Sequence, residues 1–177
     1  MRLHESLEWS AALNLAYRVA HNLDAMCKVV EDRNNNEIEI TGKLPLSNRD
    51  FTTNKRALCI FRINAQWPWQ TPDVICCEDW IKKGIPDWHI NTDGNLCFEF
   101  SKKWMNELPP MVDEYSLGLT SEYASTWLVN SSRSLLNRHL FAFRNGIKDW
   151  PKAWDFWAHD KEMALRQFME SQKHLGK

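Results

Sequence analysis

Apolar residues recur near the start of the chain at alternating steps of four and three: Ala12, Ala16, Val19, Leu23, Met26 and Val30. Asn14, Arg18, Asp24 and Lys28 fall on the polar side of that pattern. The spacing predicts an amphipathic helix. The run EDRNNNE then ends the period, and its three consecutive asparagines favour a turn. From there the period shortens to two. In EIEITGKL, Ile38 and Ile40 alternate with charged residues, which predicts a strand with one buried face. RALCIFRIN is more continuously apolar, with Cys59, Phe61 and Ile63 on one face and Leu58 and Ile60 on the other. Such a strand belongs in the middle of a sheet. PDVICC predicts a further strand, and the connector before it, NAQWPWQTP, holds two prolines that bar both helix and central strand.

Residues 78 to 118 show no sustained period, and Gly84, Pro86, Gly94, Pro109, Pro110 and Gly118 are spread through them. A long irregular stretch inside a compact domain is more often functional than idle. Beyond it, Tyr123, Trp127, Leu128, Leu135, Leu136 and Leu140 predict a helix over about 121–144, closed by the glycine of RNG. A last helix is predicted from Asp149 as cap and Pro151 in the first turn to about Gln172. It carries Trp150, Trp154, Trp157, Met163, Ala164, Leu165 and Phe168, a load suited to core packing or to a docking groove for a partner. The order helix, antiparallel strands, long structured loop, helix, helix is α+β, with helices packed on a meander.

At 177 residues without internal repeat or low-complexity linker, 1–177 reads as a single domain in which 146–177 form a C-terminal helical extension. Lysine plus arginine total 22 and aspartate plus glutamate 23, a balance that argues against a general nucleic-acid-binding surface. No run of about 18 apolar residues predicts a membrane span. The opening MRLHESLEWSAALNLAYR lacks the apolar middle of a secretion signal, so a cytoplasmic location is expected.

In a reducing compartment Cys27, Cys59, Cys76, Cys77 and Cys97 are expected as thiols. None forms a C-x-x-C pair, so no zinc site is expected. Cys27, in the helical pattern, and Cys59 and Cys76, in strand patterns, read as small buried hydrophobes. Cys97 differs. It ends the segment WHINTDGNLC, just past an Asp93-Gly94-Asn95 turn signal, with His89 on the other side of that turn.

Two segments together resemble ubiquitin-conjugating enzymes. WPWQTPDV, residues 67 to 74, is similar to that family's Tyr-Pro-Phe-x-x-Pro-x-Val segment, with Trp67 and Trp69 in the aromatic positions and Pro68 and Pro72 in the proline positions. HINTDGNLCFEF resembles its active-site segment Asn-Ile-Asn-x-x-Gly-x-Ile-Cys, which Ile90, Asn91, Gly94 and Cys97 match by type. Trp104 echoes the tryptophan after the family's cysteine. The resemblance covers residues 5 to 145 in organisation and about twenty by motif. It implies the family's fold: an N-terminal helix, a four-stranded antiparallel meander, a long active-site loop and C-terminal helices. The family's His-Pro-Asn tripeptide falls on Asp87-Trp88-His89, so His89 stands where the family has an asparagine that orders the loop and stabilises an oxyanion. That departure resembles the divergent bacterial branch found in antiphage (CBASS-type) defence operons beside a cyclic-nucleotide-synthesising nucleotidyltransferase.

The chemistry implied is thioester carriage. A cysteine accepts an acyl group as its thiolate, and at an ordinary pKa near 8.5 only about 3% is ionised at pH 7. His89 would serve as oxyanion donor to the tetrahedral intermediate or as base to Cys97. Asn91 and Gly94 read as turn-makers that support them, with Gly94 suited to φ > 0, and Trp88 as a supporting neighbour. Glu99, Glu107, Asp113 and Glu114 all stand as candidates to deprotonate the acceptor amine. No cofactor is called for, and the chain has no G-x-x-x-x-G-K-[ST] sequence, so a separate activating protein would supply any activation. The expected partner is a protein substrate, by resemblance the C-terminus of the nucleotidyltransferase. A catalytically silent binding module and a cysteine peptidase using Cys97 are the rival expectations.

Overall fold

The computed structural model describes residues 7–46, 56–64, 67, 71–83, 90, 93–96, 113–144 and 146. Helix α1 (Leu7–Ala20) is followed by strands β1 (Lys28–Asp32), β2 (Glu37–Pro45), β3 (Arg56–Asn64) and β4 (Asp73–Cys76), the short helix α2 (Asp79–Lys83), strand β5 (Asn95–Leu96) and the long helix α3 (Glu114–Arg144). The strands form one antiparallel sheet in chain order, β1-β2-β3-β4-β5. The α+β class and the central place of β3 are as the periodicity predicts. The sheet has five strands where the resemblance implies four.

Period-two alternation decides which face is buried. Ile38, Ile40 and Leu44 of β2, Ala57, Cys59, Phe61 and Ile63 of β3, and Val74 and Cys76 of β4 all lie within the core. The register lines them into rows. One runs Val29, Ile40, Phe61, Val74, Leu96 across all five strands, and the next runs Gly42, Cys59, Cys76. Each large apolar side chain so buried contributes about 1.5–3 kcal/mol, so these rows anchor the register. A one-residue slip would turn all of them to the other face.

The first helix stops ten residues short of the predicted pattern's end at Val30. Asn22 accounts for the stop locally: its side-chain amide donates to the Arg18 carbonyl at 3.0 Å, and its backbone N–H donates to Val19 at 2.9 Å. Asp24 completes it across the chain, donating its N–H to the Lys43 carbonyl at 3.1 Å while its carboxylate accepts the Lys43 N–H at 3.2 Å. Side chains that bond backbone in this way compete with helix. Val29 and Val30, β-branched, pair with β2 instead. Met26 is left 82% exposed. Cys27 lies in the loop and not on a helix, its thiol donating to the Ala20 carbonyl at 3.7 Å. The asparagine run turns as predicted: Asp32 accepts the Asn35 N–H at 3.2 Å, and Asn36 takes a φ of 50°.

α1 buries Ala11, Ala12, Leu15, Ala16 and Val19 against β2 and α3. Its alanines let the backbones approach. α3 begins seven residues before the predicted 121 and ends as predicted, with Gly146 at a φ of 63° donating its N–H to Phe143. Arg133 fastens it to the sheet, donating from Nε to the Pro45 carbonyl at 2.9 Å. Residues 134–140 are all buried, Asn137, Arg138 and His139 among them, so the helix is covered on every side there. His139 packs on Trp80 of α2 with ring centroids 5.9 Å apart. No helix among the described residues is long and apolar enough to cross a membrane. The predicted last helix lies outside the described residues.

Candidate functional site

Among the described residues of the stretch read as irregular, 78 to 118, are α2, β5 and the first residues of α3. α2 buries Trp80 and Ile81, and β5 returns to the sheet with Val74 opposite Leu96 and Ile75 opposite Asn95. Leu96 is also bridged antiparallel to Ile90. It is therefore held on both sides, by β4 and by Ile90. Both bridged residues are buried, so the stem of the turn is pinned by two apolar side chains.

The turn itself is Asp93-Gly94-Asn95. The Asp93 carboxylate accepts the Asn95 N–H at 3.1 Å, an Asx turn. Gly94 has a φ of 90°, and its carbonyl accepts the Cys76 N–H at 2.8 Å. A Cβ on Gly94 would overlap the carbonyl oxygen of Cys76. Only glycine fits, for two separate reasons: the backbone conformation and the closeness of β4. The expectation of φ > 0 at Gly94 holds, and the structure adds the partner strand that enforces it.

Beside the turn is a cleft of about 210 Å³ lined by Cys76, Cys77, Glu78, Asp79, Ile81, Asp93 and Gly94. Glu78 is partly committed, its Oε1 accepting the Leu58 N–H at 3.0 Å and so closing the β3–β4 ladder. Cys77 is exposed at this cleft, but burial of its thiol and the neighbouring Cys76 hold its pKa above the ordinary cysteine range. Cys59 is held far higher, first by donating its thiol to Cys76 and then by burial. Neither is poised as a thiolate nucleophile.

Of the sequence-predicted site residues, Gly94 is in place at the head of the turn. Cys97, His89, Asn91 and Trp88 lie outside the described residues. In sequence, Cys97 directly follows Leu96 and His89 directly precedes Ile90. Glu99, Glu107 and Trp104 also lie outside. Two of the four candidate bases are described. Asp113 caps α3: its carboxylate accepts the Ser116 N–H at 2.8 Å, while Ser116 Oγ accepts the Asp113 N–H at 3.0 Å. These bonds hold its carboxyl below the usual range, a structural duty that suits it poorly to proton abstraction. Glu114 is exposed in the first turn of α3. The acidic cleft wall, Glu78 and Asp79, was not legible as part of a site because α2 spans too few residues to set a period. Among the described residues no group of three or more histidine, cysteine, aspartate or glutamate side chains is arranged to hold a metal ion. No protein-family model, curated protein or solved structure matches the chain.

Proposed function

We propose that the chain is a ubiquitin-conjugating-like, cysteine-dependent acyltransferase. Cys97 takes the C-terminal carboxyl of a partner protein as a thioester and passes it to an amine. The observation that carries this reading is the pinned stem of the turn: Ile90 and Leu96 are bridged and buried, and chain connectivity alone keeps His89 and Cys97 within one residue of that bridge. A helix, an antiparallel meander and a long closing helix are the frame the resemblance calls for. Trp67, Pro72 and Val74 of its proline-aromatic segment are all buried, which supports a fold-setting role for that segment.

The two steps are acyl exchanges. In the first, the Cys97 sulfur attacks an activated carboxyl of the partner, the C–S bond forms and the activating group leaves. In the second, an amine attacks the thioester carbonyl, the C–N bond forms, negative charge collects on the oxygen, and the C–S bond breaks with Cys97 leaving as thiolate, while the proton lost by the amine passes to a base or to water. A donor at His89 would stabilise that oxygen in both steps, a contribution of about 3–4 kcal/mol when one such donor is lost. By the resemblance, the carried protein is a cyclic-nucleotide-synthesising nucleotidyltransferase in antiphage defence; any activation that its carboxyl needs would come from a separate protein.

The test is to incubate the protein with candidate partners and an activating source and to look for a thiol-sensitive adduct. The reading requires an adduct that Cys97→Ala abolishes, that Cys97→Ser converts to a thiol-resistant oxyester, and that amines discharge. Discharge to water alone would make the protein a peptidase. Tight partner binding that survives Cys97→Ala, with no adduct, would make it a binding module.

A further inference from the structure

We infer that Cys59 and Cys76 form an oxidisable cross-strand dithiol, a modification site that a hydroperoxide converts to a disulfide between β3 and β4. This stands apart from the proposed chemistry of Cys97 and does not depend on it.

The register makes the case. Cys59 and Cys76 are directly opposed in the antiparallel β3–β4 pair. In such a pair, hydrogen-bonded and non-hydrogen-bonded positions alternate. The Cys77 N–H donates to the Leu58 carbonyl at 2.8 Å, which makes Leu58 and Cys77 a hydrogen-bonded pair. Cys59 and Cys76, one step along, are therefore a non-hydrogen-bonded pair. Consistent with that, the Cys76 N–H points away from β3 and donates to Gly94 on the other side. At non-hydrogen-bonded positions the Cα atoms approach to about 4.5 Å and the side chains lie closest. That is inside the range of about 4.4–6.8 Å in which a disulfide closes without backbone movement. The two side chains also share a face, because both are buried in the core.

Access distinguishes the two. Cys59 is fully enclosed, whereas Cys76, itself 2% exposed, borders the cleft beside the Gly94 turn. Oxidation therefore starts at Cys76. Its thiolate attacks the outer oxygen of hydrogen peroxide, the S–O bond forms, the O–O bond breaks and one water leaves. The Cys59 sulfur then attacks the resulting sulfenic acid, the S–S bond forms, the S–O bond breaks and a second water carries off the Cys59 proton. The dithiol loses two electrons and two protons, and the peroxide becomes two waters. Cys77 does not compete for Cys59: successive side chains on a strand face opposite ways, and Cys77 is exposed where Cys76 is buried. The bridge would join β3 to β4 at the residue that holds the turn, since Cys76 is the donor to Gly94.

The experiment treats the reduced full-length protein with graded hydrogen peroxide, alkylates the remaining thiols in denaturant and maps the peptides without reduction by mass spectrometry. Alkylation of Cys59 and Cys76 should be lost in parallel, with a linked peptide pair containing both that dithiothreitol dissolves. The same link should form in Cys77→Ser and in Cys97→Ser, which also shows that it needs neither of those two thiols. Cys59 remaining alkylatable at every peroxide concentration that leaves the circular dichroism unchanged would overturn the proposal. So would a link from Cys76 to Cys77 or Cys97 in place of Cys59.

Discussion

Gly94 sits directly against Cys76: its carbonyl accepts the Cys76 N–H at 2.8 Å, and its Cα faces the Cys76 carbonyl with no room for a side chain. The turn before Cys97 is thus shaped by β4 as much as by its own residues. Gly94→Ala should lower stability by at least about 1–2 kcal/mol from the left-handed backbone alone, and by more once the overlap with β4 is relieved by movement. A shift of the urea midpoint with unchanged m-value is the expected readout. A midpoint equal to wild type would mean that the turn does not pack on β4.

Gly118 presents the opposite case. It lies within α3, its φ is not positive, and the nearest atom to an added Cβ is the Arg18 guanidinium at 4.0 Å. Glycine in a helix interior costs about 0.5–1 kcal/mol relative to alanine. Gly118→Ala should therefore stabilise the protein by roughly that amount, seen as a rise in the thermal midpoint. A fall would place the start of α3 after this residue, close to where apolar spacing alone puts it.

These two glycines illustrate what the sequence conveys and what it does not. Asp93-Gly94-Asn95 is a turn by its own chemistry, and Ile38, Ile40, Cys59, Phe61 and Ile63 announce strands because alternation is a local property. The closeness of Cys76 to Gly94 is not local, since it depends on β4 and β5 finding one another. β5 itself is two residues long and exists only through its partner. The end of α1 was hidden for a related reason. Leu23, Met26 and Val30 continue a helical spacing, while the bonds that end the helix reach from Asp24 to Lys43 on β2. The beginning of α3 was hidden by Gly118, which reads as a breaker, and by a cap in which serine at position 116 takes the part more often played by glutamate or glutamine.

That cap gives a pH prediction. Ser116 donates from both its N–H and its hydroxyl to the Asp113 carboxylate, each at 2.8 Å, and these bonds hold the Asp113 pKa below its ordinary value. A carboxyl depressed in the folded state adds stability that is fully present above the unfolded pKa of about 3.9 and is lost as pH falls through the lower, folded one. Asp113→Asn keeps the shape and removes the charge. Wild type should be the more stable at neutral pH, by a small margin because the group is exposed. The gap should close on acidification to about pH 2. A gap that persisted in acid would assign the effect to shape and not to ionisation.

The sharpest test of the proposed chemistry is His89→Ala. If its ring N–H stabilises the oxyanion, the substitution should slow discharge of the Cys97 adduct to amines by about 10²–10³-fold, the usual cost of losing one such donor. Formation of the adduct should slow similarly, because both steps pass through a tetrahedral oxygen. His89→Asn separates this role from that of a base. An asparagine amide can donate a hydrogen bond but cannot take up a proton at neutral pH, and asparagine is the residue that the resembled family places there. Recovery of discharge in His89→Asn, with a pH profile that loses any inflection near 6.5, would identify the imidazole as a donor. Failure of His89→Asn to recover while the circular dichroism stays native would point to proton transfer. Discharge at the wild-type rate in His89→Ala would remove the residue from the mechanism and leave the pinned turn and Cys97 to carry it alone.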